Sequence, residues 1–180
     1  STTNPARRAA RSDGPRSPGA LKAALTPPAG ASILPPMAAI LVIEDERSMR
    51  EFLEILLKRH NHQVTVAETG NAACALLKPD AFDLVITDLK MPGMGGLEVL
   101  QHSKRVAPET EVIVVTAFAT TETAIAAMKQ GAYDYLTKPF KVDEIIVTVG
   151  RALERRALRL DNLVLREELK GRDQRERMVG

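Results

Sequence analysis

The sequence predicts an α/β fold in which a parallel five-stranded sheet is covered by helices on both faces, a doubly wound (βα)5 sandwich. Three observations predict it. Short apolar runs recur between Ala39 and Thr137, and Ile40-Leu41-Val42-Ile43 and Val112-Ile113-Val114-Val115 show no alternation, as in strands buried on both faces. Amphipathic stretches of helical period stand between the runs. The connections are short and marked by Gly or Pro, which fits βα units rather than a hairpin-built sheet.

The first run ends in Glu44-Asp45. Met49, Phe52, Leu53, Leu56 and Leu57 follow at helical spacing, with Arg50, Glu51, Glu54 and Lys58 on the opposite side. Val64 to Ala67 is a short second strand that Gly70 should break, and Ala72 to Leu77 a short helix stopped by Pro79. Leu84-Val85-Ile86-Thr87 is a third strand ending at Asp88. Gly93, Gly95 and Gly96 make the turn after it, and Leu97, Val99, Leu100 and Val106 line a third helix. The fourth strand ends at Thr116, and the helix after it should run from Thr120 to Gln130 and stop at Gly131. Tyr133 to Thr137 is the fifth strand, with Lys138-Pro139 at its tip, and a last helix begins near Val142. Right-handed crossovers restrict the topology, and the flavodoxin-like order 2-1-3-4-5 is expected.

The charge of +2 over 180 residues is unevenly spread. Residues 1–37 and 151–180 are basic, at +4 and +3, whereas 38–150 is acidic, at −5. An acidic folded unit argues against a nucleic-acid surface there. A single cysteine, Cys74, excludes an internal disulfide framework and a cysteine-based zinc site, and fits a reducing compartment. No apolar run is long enough for a membrane span, so a cytoplasmic location without membrane contact is expected. Residues 1–36 hold seven of the eleven prolines and read as a disordered basic leader. Both a non-native leader and a functional basic arm fit that composition.

In the expected order the first and third strands are neighbours at the topological switch point, where such sheets bind ligands. Their tips carry Glu44, Asp45 and Asp88; the fourth ends at Thr116 and the fifth at Lys138. Clustered carboxylates repel one another unless a cation is present. Oxygen ligands in a solvent-facing crevice select a hard ion, Mg2+ rather than zinc. A hydroxyl and a lysine on the other flank suit an anion, and the set together suits in-line phosphoryl transfer, which depends on positioning and charge neutralisation. Taken singly, Glu44-Asp45 also fits an acidic helix cap, and Thr116 an ordinary strand residue.

The segments ILVIEDE, LVITDLKMPGMGGLE, VIVVTA and YDYLTKPF resemble, in order and spacing, the receiver domains of two-component response regulators over residues 38–150. The resemblance implies that Asp88 accepts a phosphoryl group from a sensor histidine kinase. It implies metal ligation by Asp45, Asp88 and the backbone carbonyl of Lys90, with Glu44 acting directly or through water. Thr116 resembles the switch hydroxyl, Lys138 the phosphoryl-binding lysine and Tyr135 the aromatic that changes rotamer with Thr116. The Lys138-Pro139 bond is expected to be cis. Gly95 departs from the Asp or Asn more usual at that helix cap.

From Val142 to about Lys170 the chain has no proline, so the last helix should extend about 40 Å at 1.5 Å per residue. Two stripes, Leu153-Ala157-Leu160-Val164 and Leu158-Asn162-Leu165-Leu169, both have heptad-like spacing, and either could form a dimer seam. The candidate linker residues are Leu153, Leu160, Leu163, Leu165 and Leu169. The tail resembles the linker of NtrC-type regulators, where it leads to an ATPase module acting on sigma-54 polymerase. Residues 151–180 would then be a linker, with Arg175 to Gly180 the start of a module that is absent, since no Walker loop occurs. That resemblance implies a homodimer through the fourth and fifth helices and the linker. No helix-turn-helix reader is visible, so direct DNA binding is not expected.

Three other readings compete. A stand-alone receiver could act by protein contacts alone. An Asp-nucleophile phosphatase would need an acid two residues after Asp88, where Lys90 stands. A flavin carrier would need a phosphate-tolerant first turn, whereas this one is Glu44-Asp45-Glu46.

Overall fold

The computed structural model describes residues 37–178, so the leader expected over 1–37 lies, up to residue 36, outside the described residues. Ten elements alternate: β1 (Ala39–Ile43), α1 (Arg47–Arg59), β2 (Gln63–Ala67), α2 (Gly70–Leu76), β3 (Leu84–Thr87), α3 (Gly96–Val106), β4 (Glu111–Thr116), α4 (Thr121–Lys129), β5 (Asp134–Thr137) and α5 (Val142–Met178). All strand pairs are parallel, in the expected order β2-β1-β3-β4-β5.

The strand patterns follow from position in the sheet. Central β3 and β4 are buried along their whole length, whereas edge strands β2 and β5 are only partly covered. Successive side chains leave opposite faces. Leu41, Ile43, Val85 and Val114 therefore meet Ala73, Val99, Leu100 and Ala127 from α2, α3 and α4. Ile40, Val42, Ile86 and Ile113 meet Leu53 and Leu57 of α1 and Ile145, Val149, Ala152 and Leu153 of α5. Each of the large aliphatic side chains in these two layers contributes about 1.5–3 kcal/mol by burial.

Several boundaries differ from the sequence reading. Gly70 opens α2 rather than ending β2, because Thr69 caps the helix by accepting a hydrogen bond from the Ala72 amide. α4 is closed at its start by a reciprocal capping box between Thr120 and Thr123, and Gly131, at φ +97°, lies just beyond its C-cap. α5 continues past Lys170 to Met178, so Arg175–Met178 extend the helix instead of leaving it. Gly171 does not stop it: a Cβ there would meet nothing within 4 Å, and Glu168-Arg172, Arg172-Glu176 and Asp173-Arg177 stand at the i,i+4 spacing that supports an exposed helix.

The most exacting contact lies under the site. Gly96 opens α3 directly against the Asp88 backbone, and a Cβ at Gly96 would fall 2.1 Å from the Asp88 carbonyl oxygen. Only glycine lets the helix approach so closely. The helix is capped by Gly95 without a side-chain hydrogen bond.

Candidate functional site

Parallel pairing brings the strand ends together. The Asp88 amide donates to the Ile43 carbonyl, tying the tip of β3 to β1, and the Lys138 amide donates to the Thr116 carbonyl, tying β5 to β4. The acidic turn after β1 is held by Arg50 of α1, whose Nη1 donates to the Glu44 carbonyl at 2.9 Å while Nη2 pairs with Glu68. Neither Glu44 nor Asp45 caps α1. Glu46 is the N-cap, and its amide donates to Glu44 Oε1.

Glu44, Asp45 and Asp88 gather their carboxylates so that one oxygen from each lies within 4.8 Å of the others. Glu44 and Asp88 are buried and Asp45 is open to solvent. Lys138 bridges the buried pair, with Nζ 2.5 Å from Glu44 Oε2 and 2.9 Å from Asp88 Oδ2. The Lys90 amide donates to Asp88 Oδ1. Burial pushes the Glu44 carboxyl above its ordinary range, against the hydrogen bonds from Lys138 and the Glu46 amide. Burial by itself would lower the Lys138 ammonium, but its hydrogen bonds to Glu44 and Asp88 outweigh this and hold it above the usual lysine value.

Three carboxylates around one ammonium leave an excess of negative charge, with an open side at Asp45. An all-oxygen donor set of this kind fits a hard divalent cation such as Mg2+. Thr116, Tyr135 and Lys138, expected on the other flank, stand at the same end of the sheet. Thr116 is fully buried at the end of β4, and its Oγ1 accepts from the Phe118 amide at 3.1 Å. Phe118 itself is exposed, and Lys90 Nζ sits 4.2 Å from its ring centroid, so the two side chains flank the crevice together. Tyr135 is half-buried and its hydroxyl pairs with Thr123 Oγ1 of α4 at 2.8 Å. The Lys138-Pro139 bond is cis.

The linker residues divide. Leu153 is buried in the core beneath the sheet and cannot serve a dimer seam, which corrects its place among the linker candidates. Leu160 is half-buried, whereas Leu163, Leu165 and Leu169 are exposed. Sequence reasoning missed the Gly96 contact and the Thr123 hydroxyl. The threonine spacing at 120 and 123 signals a helix start, but nothing in it signals Tyr135.

Fold and site together define a doubly wound α/β domain with a carboxylate cluster that could hold a metal, a lysine and a buried threonine at its switch point. The chain belongs to the family of response regulator receiver domains, whose model matches residues 40–150. It is 39% identical over 114 residues to the DNA-binding transcriptional regulator NtrC of Salmonella typhimurium, a match covering 63% of this chain and 24% of that one. The chain spans about a quarter of the length of the curated relatives it matches. A response regulator receiver domain from Clostridium thermocellum superposes with a TM-score of 0.65 at 32% identity, covering 68% of this chain and 98% of the other. NtrX from Brucella abortus superposes at 0.67 and 34% identity, covering 72% and 30%. Among the described residues, no helix is long and apolar enough to cross a membrane.

Proposed function

We propose that this chain is the phosphorylation-controlled switch of a cytoplasmic two-component regulator, with Asp88 as the phospho-acceptor and a sensor histidine kinase as donor. The observation that carries the reading is the position of Asp88: one carboxylate oxygen is held by Lys138, and an oxygen of each of Glu44 and Asp45 lies within 4.8 Å of an Asp88 oxygen. Glu44, Asp45, Asp88 and the Lys90 carbonyl would hold Mg2+. The chemistry the ion supplies when bound is neutralisation of phosphoryl charge.

An Asp88 carboxylate oxygen bonds to phosphorus while the N–P bond of the donor phosphohistidine breaks, and the imidazole leaves with the electron pair. Lys138, freed from its carboxylate partner, follows the new oxygens as an ammonium donor. Thr116 turns its hydroxyl toward them, which changes the space available to Tyr135. Tyr135 gives up its hydrogen bond to Thr123, so the packing of α4 against β5 changes, and a local charge biases a two-state surface.

The similarity to NtrC supports an output in transcription control of the sigma-54-dependent kind, with residues 38–150 as receiver and 151–180 as a linker. The exposed leucines of α5 support a homodimer through the linker, together with the α4/α5 face. The test is labelling by a small phosphodonor such as acetyl phosphate with Mg2+. Wild-type protein gains one acid-stable, base-labile phosphoryl group, and Asp88→Asn gains none; persistent labelling of Asp88→Asn would overturn the assignment.

A further inference from the structure

As sequence, Arg50 is one of the charged residues on the polar side of α1, beside Glu51 and Glu54. The structure turns it back onto the domain. Its side chain is only 11% exposed, and one guanidinium reaches three groups. Nη1 donates to the Glu44 carbonyl at 2.9 Å and to the Asp45 carbonyl at 3.3 Å, while Nη2 pairs with Glu68 at 2.9 Å.

The three carboxylates of the cluster are not held alike. Glu44 is fixed by Lys138 and the Glu46 amide, and Asp88 by Lys138 and the Lys90 amide. Asp45 is exposed, and no hydrogen bond or ion pair among the described residues holds its carboxylate. Its position therefore follows from the backbone of the turn. The Glu44 amide ties that backbone to the Ala67 carbonyl, the Arg50 amide donates to the Glu46 carbonyl, and the Arg50 guanidinium grips the two carbonyls between. A planar guanidinium suits this role, because its donors are set in a rigid fork that a lysine ammonium does not reproduce. Its charge alone would make it a poor neighbour for a bound cation. Glu68 answers that charge at the other nitrogen, so the turn is gripped without a net positive charge beside the cluster.

We propose that Arg50 is a positioning residue for cation binding: it splints the β1–α1 turn so that Asp45 is presented to the ion, and Glu68 orients and neutralises the guanidinium. This rests on the reading of Glu44, Asp45 and Asp88 as Mg2+ ligands. Groups that orient metal ligands without touching the metal govern affinity by about 10- to 100-fold. The charge removed with Arg50 works the other way, so Arg50→Ala should weaken cation binding by about tenfold, the lower end of that range. The sign of the change is diagnostic. A guanidinium acting only through its charge would leave cation binding tighter once removed.

Titration of the full chain with Mn2+, read from the paramagnetic resonance of the free ion and by competition with Mg2+, tests the assignment. Wild type should bind the ion and Asp45→Asn should bind it more weakly. Arg50→Ala should lose about tenfold in affinity, and Arg50→Lys should fall between Ala and wild type. Glu68 is 74% exposed, so Glu68→Gln leaves the fold undisturbed and should also weaken binding. The half-saturating Mg2+ for Asp88 labelling by acetyl phosphate should rise in proportion in Arg50→Ala, while the rate at saturating Mg2+ stays within about twofold of wild type. A merely destabilised fold would not split the two in that way. Arg50→Ala binding as tightly as wild type or tighter, Arg50→Lys matching wild type, or an unchanged Glu68→Gln would overturn the proposal. Equal binding by wild type and Asp45→Asn would instead overturn the cation-ligand reading beneath it, and the role of Arg50 with it.

Discussion

Arg159 and Glu111 stand 48 residues apart and meet through a 3.0 Å hydrogen bond from Nη1 to Oε1. Glu111 opens β4 with its side chain almost wholly buried, and Arg155 approaches the same carboxylate oxygen at 3.7 Å. With the Arg156–Asp83 pair, these contacts fasten α5 to the foot of the sheet, at the end opposite the phospho-acceptor. Removing the buried member takes away the partner that Arg155 and Arg159 share, although Arg159 keeps Glu109 at 3.7 Å. Glu111→Ala should cost about 1 kcal/mol in urea denaturation, since the arginines it leaves are solvated. Amide exchange should rise in 155–165 while Asp88 labelling persists. A loss under about 0.5 kcal/mol would show that the clamp carries little load.

The glycines separate local helix propensity from tertiary contact. Gly150 lies inside α5 with nothing within 4 Å of an added Cβ, so Gly150→Ala should stabilise the domain by about 0.5–1 kcal/mol through helix propensity. Gly96→Ala should have the opposite sign, because its methyl would press on the Asp88 carbonyl. A loss of about 1–3 kcal/mol and slower phosphorylation are expected. Thermal unfolding and a labelling time course measure both, and equal effects at the two sites would contradict the contact described.

His62 supplies a pH dependence away from the phosphorylation site. It is buried at the start of β2, its Nδ1 has no hydrogen-bond partner among the described residues, and burial pushes its pKa below the ordinary histidine value. His60 adds to that push and Asp83 opposes it. Well above the ordinary histidine value of about 6.5 the ring is neutral in folded and unfolded chains alike and costs nothing. As pH falls toward the depressed folded value, the unfolded chain takes up the proton first and stability is lost. Denaturant midpoints should therefore decline between pH 7 and pH 5.5 more steeply in wild type than in His62→Leu. Parallel profiles would refute the assignment.

Phe118 and Lys90 bear on how long a phosphoryl group survives. Lys90 follows Asp88 by two residues and Phe118 follows Thr116 by two, so their contact lies beside the strand tips, and an exposed cation–π pair is worth about 0.5–1 kcal/mol. Phe118→Ala should speed dephosphorylation about two- to fivefold by opening the crevice to water. The decay of a labelled sample measures this, and an unchanged rate would mean that Phe118 does not shield the site.

Much of this molecule is legible in its sequence. Strands buried on both faces write themselves as unbroken apolar runs, and Glu44, Asp45, Asp88 and Thr116 stand at the ends of such runs while Lys138 follows the partly covered edge strand β5, so parallel pairing converges them. The remainder depended on distance in three dimensions. Arg159 shows a charge but not that Glu111 will bury beside it. Gly96 shows a turn but not that a helix start rests on the Asp88 backbone. Leu153 and Leu165 have the same local spacing, and only the packing of α5 on the sheet assigns one to the core and leaves the other exposed. The helix also outran its expected end, because a glycine free of steric demand at 171 costs too little to stop a chain flanked by complementary charges.

The length of α5 has a mechanical consequence. Leu153 is its last fully packed residue, and from there the helix runs to Met178, about 38 Å at 1.5 Å per residue. A tilt of only about 5° where it leaves the sheet would sweep its far end through about 3 Å, nearly the width of a methyl group. A rearrangement around Tyr135 too small to alter the sheet would thus arrive at the distal turn as a displacement large enough to break or make a side-chain contact. The rod is a lever whose gain is set by its length and whose fulcrum lies where Leu153 leaves the core.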